Sequence, residues 1–297
     1  MIKKTRRPRL ASPERRLAAV VLSRANSGEA DLVVTFLTRE LGLLTALAKN
    51  ARRSVKRFGG GLLSPARAAW YDFRVSPYSD LAFVARGENN PDFPLLPPEP
   101  LALALGSWAV ELTRSLEAPR NPAPLTFNLL VRHLVRLARC PDFTPPALEA
   151  RRLSLGFTKC YLEVAGFGPS LLACHQCGRK PETGDWAWSP SQGVVLCPDC
   201  RSLQAELVPG ELIQALGGIH DHLAGPRLNP ESLARAEGFL ARMASLAADR
   251  AYRSRRVIQQ LLRDPPPPGP LAPLPLAQGR PEFLAPRTIS EVLGGES

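Results

Sequence analysis

Short apolar runs separated by turn-forming residues fill the first third of the chain. Residues 17–22 are continuously apolar, and Asn26-Ser27-Gly28-Glu29 has the composition of a turn. Residues 31–38 read as a second strand, and Arg39 and Glu40 lead into a third over residues 41–48. Alternation returns at residues 66–75, where Trp70, Asp72 and Arg74 interleave with Tyr71, Phe73 and Val75, and residues 81–86 complete the set. Five short strands with turn signals between them predict a small β-barrel. The pattern is shared by OB-folds and SH3-like barrels, and it leaves the two open.

A hinge follows, opened by Asn89-Asn90-Pro91 and closed by Pro97-Pro98-Glu99-Pro100, and then the period changes from two to 3.6. Residues 101–116 are apolar on several faces and predict a buried helix. Residues 125–139 are amphipathic, with Phe127, Leu130, Leu134 and Leu137 on one face and Arg132, Arg136 and Arg139 on another. Prolines break the chain before a third helix over 147–165, which Gly166-Phe167-Gly168-Pro169 terminates. Further on, residues 210–223 form a weak helix interrupted by Gly217-Gly218. Asn229 is an N-cap ahead of Pro230, with Leu233, Ala236, Leu240, Met243 and Ala247 as the buried stripe. A last helical stretch over 249–263 carries Arg250, Arg253, Arg255 and Arg256. Nine prolines between Pro265 and Pro286 then predict a polyproline-like or disordered tail. The expected organisation is α+β: a basic arm (1–15), a barrel (16–88), a first helical part (100–170), a cysteine-bearing element (171–203), a second helical part (204–263) and the tail (264–297).

The cysteine-bearing element is the most specific signal. Cys174-His175-Gln176-Cys177 and Cys197-Pro198-Asp199-Cys200 are separated by nineteen residues. Two such pairs can place four thiolates around one tetrahedral zinc. Between them, Trp186-Ala187-Trp188, a turn over 189–193 and Val194-Val195-Leu196 read as strand, turn, strand, hence a four-cysteine zinc ribbon. Four thiolates leave no open position for substrate, so this zinc is structural. His175 lies inside the first knuckle and could replace a cysteine only with distortion, and His220 and His222 are expected to be ordinary helix residues. With free Cys140 and Cys160, no apolar signal-peptide core and no apolar run of membrane-spanning length, the sequence predicts a cytoplasmic protein that does not enter the membrane.

Charge changes the picture further. The net charge is +11, but residues 1–57 hold fourteen Lys+Arg against four Asp+Glu, or +10, and the other 240 residues hold 24 against 23, or +1. The densest part is Lys49 to Arg57, expected as a basic loop closed by Gly59-Gly60-Gly61. Concentrated positive charge implies a polyanionic partner, nucleic acid above all. Enzymatic signatures are missing: no phosphate-binding Gly-rich loop, no His-x-Glu with Pro-Cys-x-x-Cys, no nucleophile paired with a histidine. The chain is therefore expected not to be an enzyme and to have no small-molecule substrate.

These residues together resemble RecO, a bacterial recombination mediator family, over most of residues 16–262. The likeness is carried by Gly28-Glu29, Asp31 to Glu40 and Gly42, Lys49 with Arg52-Arg53, residues 153–169, both cysteine pairs with Gly178 and Gly193, and Ser254-Arg255. The resemblance implies an N-terminal OB-fold, a helical domain and a zinc element. It also implies binding of single- and double-stranded DNA, strand annealing and association with RecR. Contact with the tail of single-strand binding protein, recombinase loading in DNA repair, and a nucleoid-associated location are implied as well. On that basis Arg39, Lys49, Arg52, Arg53, Lys56 and Arg57 are expected on the DNA backbone, with Phe58 or Tyr71 available to stack on bases, although Tyr71 suits a core better. Arg132, Arg136 and Arg139 are the expected rim of an apolar groove for the tail of single-strand binding protein. Two rival classes are a zinc-ribbon transcription or translation factor that binds nucleic acid without annealing, and a metal-dependent nuclease.

Overall fold

The computed structural model describes residues 14–168, 170–219 and 227–264. The arm up to residue 13, the tail from Pro265, and His220 and His222 lie outside the described residues.

Five strands close into a barrel: β1 (Glu14–Ser27), β2 (Asp31–Thr38), β3 (Gly42–Ala48), β4 (Ala68–Arg74) and β5 (Ala82–Glu88). Their order is β1-β2-β3-β5-β4, with β4 returning to β1 and β3 parallel to β5, which is the OB-fold arrangement and settles the choice the alternation left open. Closure rests on β1, which pairs with β4 over its first half and with β2 over its second. An irregularity between Val21 and Ser23 bends it from one partner to the other. β1 begins at Glu14, inside the stretch expected as a flexible arm, and it runs through Asn26 and Ser27, so the turn is confined to residues 28–30.

The barrel interior is apolar and partly aromatic. Phe36 meets Tyr71 and Phe73 edge-on, with ring centroids 4.9 and 5.0 Å apart. The Tyr71 hydroxyl donates to the Leu62 carbonyl, which satisfies its one polar atom, and burial pushes that hydroxyl's pKa upward. Tyr71 is therefore a core residue. Phe58 is buried as well, closing one end of the barrel with Leu62 and Leu63, and this corrects the expectation that it could stack on bases.

Helices follow: α2 (Pro100–Leu116), α3 (Pro124–Ala138) and α4 (Leu148–Val164). Gly166 takes a positive φ and the Phe167 N–H returns to the Leu162 carbonyl, the glycine stop that the sequence announces. A three-stranded sheet follows, ordered β7 (Val194–Leu196), β6 (Asp185–Ser189), β8 (Glu206–Pro209). The third strand, β8, was not expected. Then come α5 (Gly210–Gly217), α6 (Pro230–Ala247) and α7 (Arg253–Arg263). The Asn229 side chain accepts from the Ser232 N–H at 2.8 Å, as an N-cap should. Asp249 at positive φ ends any continuation of α6, so α7 is a separate helix. It packs along α2, and the Glu111 carboxylate of α2 accepts from the Ser254 hydroxyl at 2.6 Å and from the Ser254 and Arg253 N–H groups. Arg255 turns inward to Glu237, which Arg151 grips with two bonds at 2.9 and 3.0 Å.

Barrel and helices share a core. Val20, Leu22, Leu37, Leu43 and Ala68 point outward from the barrel into the same cluster as α2, α3 and α4. Trp186 and Trp188 of the small sheet join that cluster, and Trp188 meets Phe239 of α6 edge-on. Among the described residues, no helix is long and apolar enough to cross a membrane.

Candidate nucleic-acid interface and metal centre

The basic segment expected as a loop is helical. A single 3-10 turn (Ala51–Arg53) leads into α1 (Val55–Phe58), and together they bridge the gap where β3 and β5 diverge. Arg57 makes this bridge. Its guanidinium donates to the Lys49 carbonyl at the end of β3 (2.7 Å), to the Ala85 carbonyl of β5 (3.4 Å) and to the Ser54 hydroxyl (2.9 Å), and it lies over the Phe58 ring. Arg52 holds the β1–β2 turn, through its side chain to the Glu29 carbonyl (2.9 Å) and its N–H to the Ala30 carbonyl. Arg53 approaches the Glu29 carboxylate at 3.7 Å, and both groups are exposed, so the pair is weak. Lys49 and Lys56 are exposed and have no ion-pair or hydrogen-bond partner for their side chains among the described residues. Asp31, at the start of β2, accepts from the Asn50 N–H at 2.6 Å and is tied to the backbone beside this cluster.

Arg39 is elsewhere. It lies in the turn between β2 and β3, at the opposite end of both strands from Lys49. Eight residues of β2 put roughly 20–25 Å between these ends. Gly42 beside it packs so tightly against the Asn121 carbonyl that a Cβ would stand 1.8 Å from that oxygen. Five of the six expected cations therefore gather at one mouth of the barrel, and Arg39 sits at the mouth that meets the helices. Two exposed aromatics escaped the sequence reading: Tyr78, 96% exposed in the turn before β5, and Phe83, 44% exposed on β5.

On α3, Arg139 is exposed, whereas Arg132 and Arg136 are half-buried and each already interacts within the fold.

The four cysteines converge. The sulfurs of Cys174, Cys177, Cys197 and Cys200 all lie within 4.8 Å of one another, with Cys177 and Cys197 3.6 Å apart. A tetrahedron of Zn–S bonds of about 2.3 Å has edges of about 3.8 Å, so the donor set and spacing fit one such ion. Burial pushes the Cys174 thiol up. The N–H groups of Cys197, Cys177 and Gln176 outweigh it and bring the thiol down to about 6. Hydrogen bonding to the Cys197 sulfur, then desolvation, pushes Cys200 up to about 12. Four cysteine sulfurs at this spacing could hold one metal ion. His175 is exposed and takes no part in the cluster.

Comparison with known proteins matches residues 14–89 to the recombination protein O N-terminal family and residues 98–256 to the recombination protein O C-terminal family. The chain is similar to the DNA repair protein RecO of Synechococcus sp. (strain JA-3-3Ab), 33% identical over 287 residues, covering 91% of this chain and 92% of that protein. It is also similar to the DNA repair protein RecO of Myxococcus xanthus, 33% identical over 227 residues, covering 75% of this chain and 87% of that protein. The first family match ends with the barrel at residue 89, and the second begins at residue 98 and runs to residue 256, past Ser254, which donates to Glu111, and Arg255, which pairs with Glu237.

Proposed function

Since the chain belongs to the recombination protein O family, a DNA repair family, we propose that it binds single- and double-stranded DNA. We propose further that it anneals complementary strands and, with RecR, helps load recombinase onto strands coated by single-strand binding protein. The observation that supports this most is the cationic mouth of the barrel, where Lys49 stands exposed at the end of β3 and Arg52, Arg53 and Lys56 stand exposed on the short helical bridge that follows it. Two strands repel each other, and a dense fixed positive charge lowers that repulsion while it displaces counterions. Arg57 acts as a positioning residue that holds the bridge, and Arg39 contributes at the far end if the strand runs the length of the barrel. No step in this reading needs catalysis.

The cysteine cluster is read as holding one zinc ion as scaffold. Cys174, Cys177, Cys197 and Cys200 would be its ligands, and zinc would supply the charge that four neighbouring thiolates need. For the acidic tail of single-strand binding protein, α3 is the proposed rim, with Arg139 as its accessible cation. Titrating tail peptide against a charge-reversed Arg132, Arg136 and Arg139 protein tests that placement, and co-elution with RecR tests the partnership.

The deciding experiment is strand annealing with purified protein, with and without Mg²⁺. Annealing without degradation of labelled DNA is expected. Binding without annealing would favour a zinc-ribbon factor, and Mg²⁺-dependent degradation would favour a nuclease. In the same preparation, replacing Arg52, Arg53 and Lys56 by Ala should flatten the dependence of affinity on salt by about 0.7–0.9 log units per log unit of salt for each phosphate no longer neutralised. An unchanged slope would move the DNA site off this mouth.

A further inference from the structure

The outer face of the barrel carries an apolar row that the fold leaves uncovered. Pairing places Ala25 opposite Val33, Val33 opposite Leu47, and Leu47 opposite Phe83, so one row crosses four strands. The alternate positions on these strands, Val34, Ala46, Ala82 and Val84 among them, fill the interior, which puts this row outside. Towards the helices, the next row holds the hydroxyls of Ser23, Thr35 and Thr45, and beyond it Leu37 and Leu43 are covered by the helical core. Towards the cationic mouth, Lys49 follows two residues after Leu47, about 6–7 Å along the strand. Ala25 is exposed, Val33 and Leu47 are half-buried, and Phe83 is 44% exposed. Across from Phe83 on β4 stands Arg74, also exposed.

An aromatic side chain ends an apolar strip, and a bank of cations lies beside that end, two residues further along β3 and β5. Phosphates beside the cations bring bases over the strip, and every base presents a flat π-face that can stack on a phenyl ring regardless of sequence. A protein partner fits this row less well: one phenyl and three small aliphatics form a strip one residue wide, far short of the roughly 800 Å² per partner of a specific protein interface. Resting on the DNA-binding reading above, we propose that Phe83 is a base-stacking residue for single-stranded DNA. An unpaired base lies on its ring, neighbouring nucleotides cross Leu47, Val33 and Ala25, and the phosphates pass along Lys49, Arg52 and Lys56. Bases inside a duplex are already stacked and cannot reach the ring, so duplex DNA uses the cations alone. Phe83 thus separates the two substrates that annealing interconverts.

The test measures anisotropy of a labelled oligo(dT) strand and of a duplex of equal length, across a salt series, for wild type, Phe83→Ala, Phe83→Leu and Phe83→Trp. Leu keeps apolar bulk at this exposed position, so it separates the aromatic face from packing, and thermal melting checks each fold. Ala and Leu are expected to raise the single-strand Kd about five- to a hundredfold with an unchanged salt slope, to leave duplex affinity as it was, and Trp to restore single-strand binding. Equal weakening on strand and duplex, or a Leu variant that binds single strands like wild type, would overturn the proposal. So would a Leu variant that keeps DNA affinity but loses self-association in sedimentation, which would assign the row to a second copy of the chain. Wild-type protein with no affinity for either DNA would instead overturn the DNA-binding reading itself.

Discussion

Arg57 and Glu111 show how single side chains here organise neighbouring backbone. Arg57 reaches carbonyls on two strands that diverge from each other, and its planar fork suits three acceptors in a way a lysine's point charge does not. Glu111 does the same for a helix terminus. Burial pushes its carboxyl up, but bonds from the Ser254 hydroxyl, the Ser254 and Arg253 N–H groups and the Arg250 charge outweigh that and hold it below the ordinary carboxylate range. A carboxyl lowered in the folded state stabilises it above the unfolded value, and that contribution disappears as pH falls through the folded value. Glu111→Gln should therefore lower the urea midpoint at neutral pH by the equivalent of about 1–2 kcal/mol. The gap to wild type should begin to narrow below the ordinary glutamate value of about 4.3 and close as pH falls through the lower folded value. A gap that persists unchanged in acid would show that the charge of Glu111 does not matter.

At the scale of elements, the ribbon is a scaffold built around two buried tryptophans. Trp186 and Trp188 lie on β6, and the knuckles flank that strand pair: the His175 N–H donates to the Val195 carbonyl of β7, and β7 runs directly into Cys197. Gly210 opens α5 so close to the Glu182 carbonyl that a Cβ would stand 1.6 Å from it, so the ribbon and the next helix pack backbone to backbone. Chelating the proposed zinc ion, or Cys177→Ser, should red-shift and weaken tryptophan fluorescence and lower solubility, with DNA binding lost only as a consequence. A soluble Cys177→Ser protein with native fluorescence that had selectively lost DNA binding would place the ribbon in the interface. The same scale shows why β8 and the helical bridge were missed. Glu206-Leu207-Val208-Pro209 is only four residues long, and its pairing with β6 is a long-range event. The bridge after Lys49 is Arg- and Lys-rich, with too few apolar residues for periodicity to register.

Over the whole molecule, the barrel and the helices behave as one body because the barrel wears part of the helical core on its outside. Leu37 is fully buried yet points away from the barrel interior, and Leu43 beside it does the same. Leu37→Ala should cost about 2–5 kcal/mol and destabilise barrel and helices together, in a single denaturant transition read by both tryptophan fluorescence and far-UV circular dichroism. Two separated transitions would show that the barrel folds independently. This shared core also orients the barrel: the mouth with Arg39 faces the helices, and the mouth with Lys49 and the Phe83 row faces away.

Sequence alone determined the order of the parts, the five-strand alternation, the Asn229 cap, the Gly166 stop and the clustering of the four cysteines, because each depends on neighbours within a few residues or on a rigid spacing. It also located the charge. Which side of a strand meets the core was a different matter. Residues 81–86 are apolar at both parities, so nothing local told Phe83 from Val84, and Phe58 or Tyr71 stood as the base contacts instead. Barrel closure buried Phe58 and left Phe83 outside, and the same closure brought Lys49 and Ala85 within reach of one arginine. Those outcomes depend on pairings between residues far apart in the chain, and only the tertiary structure decides them.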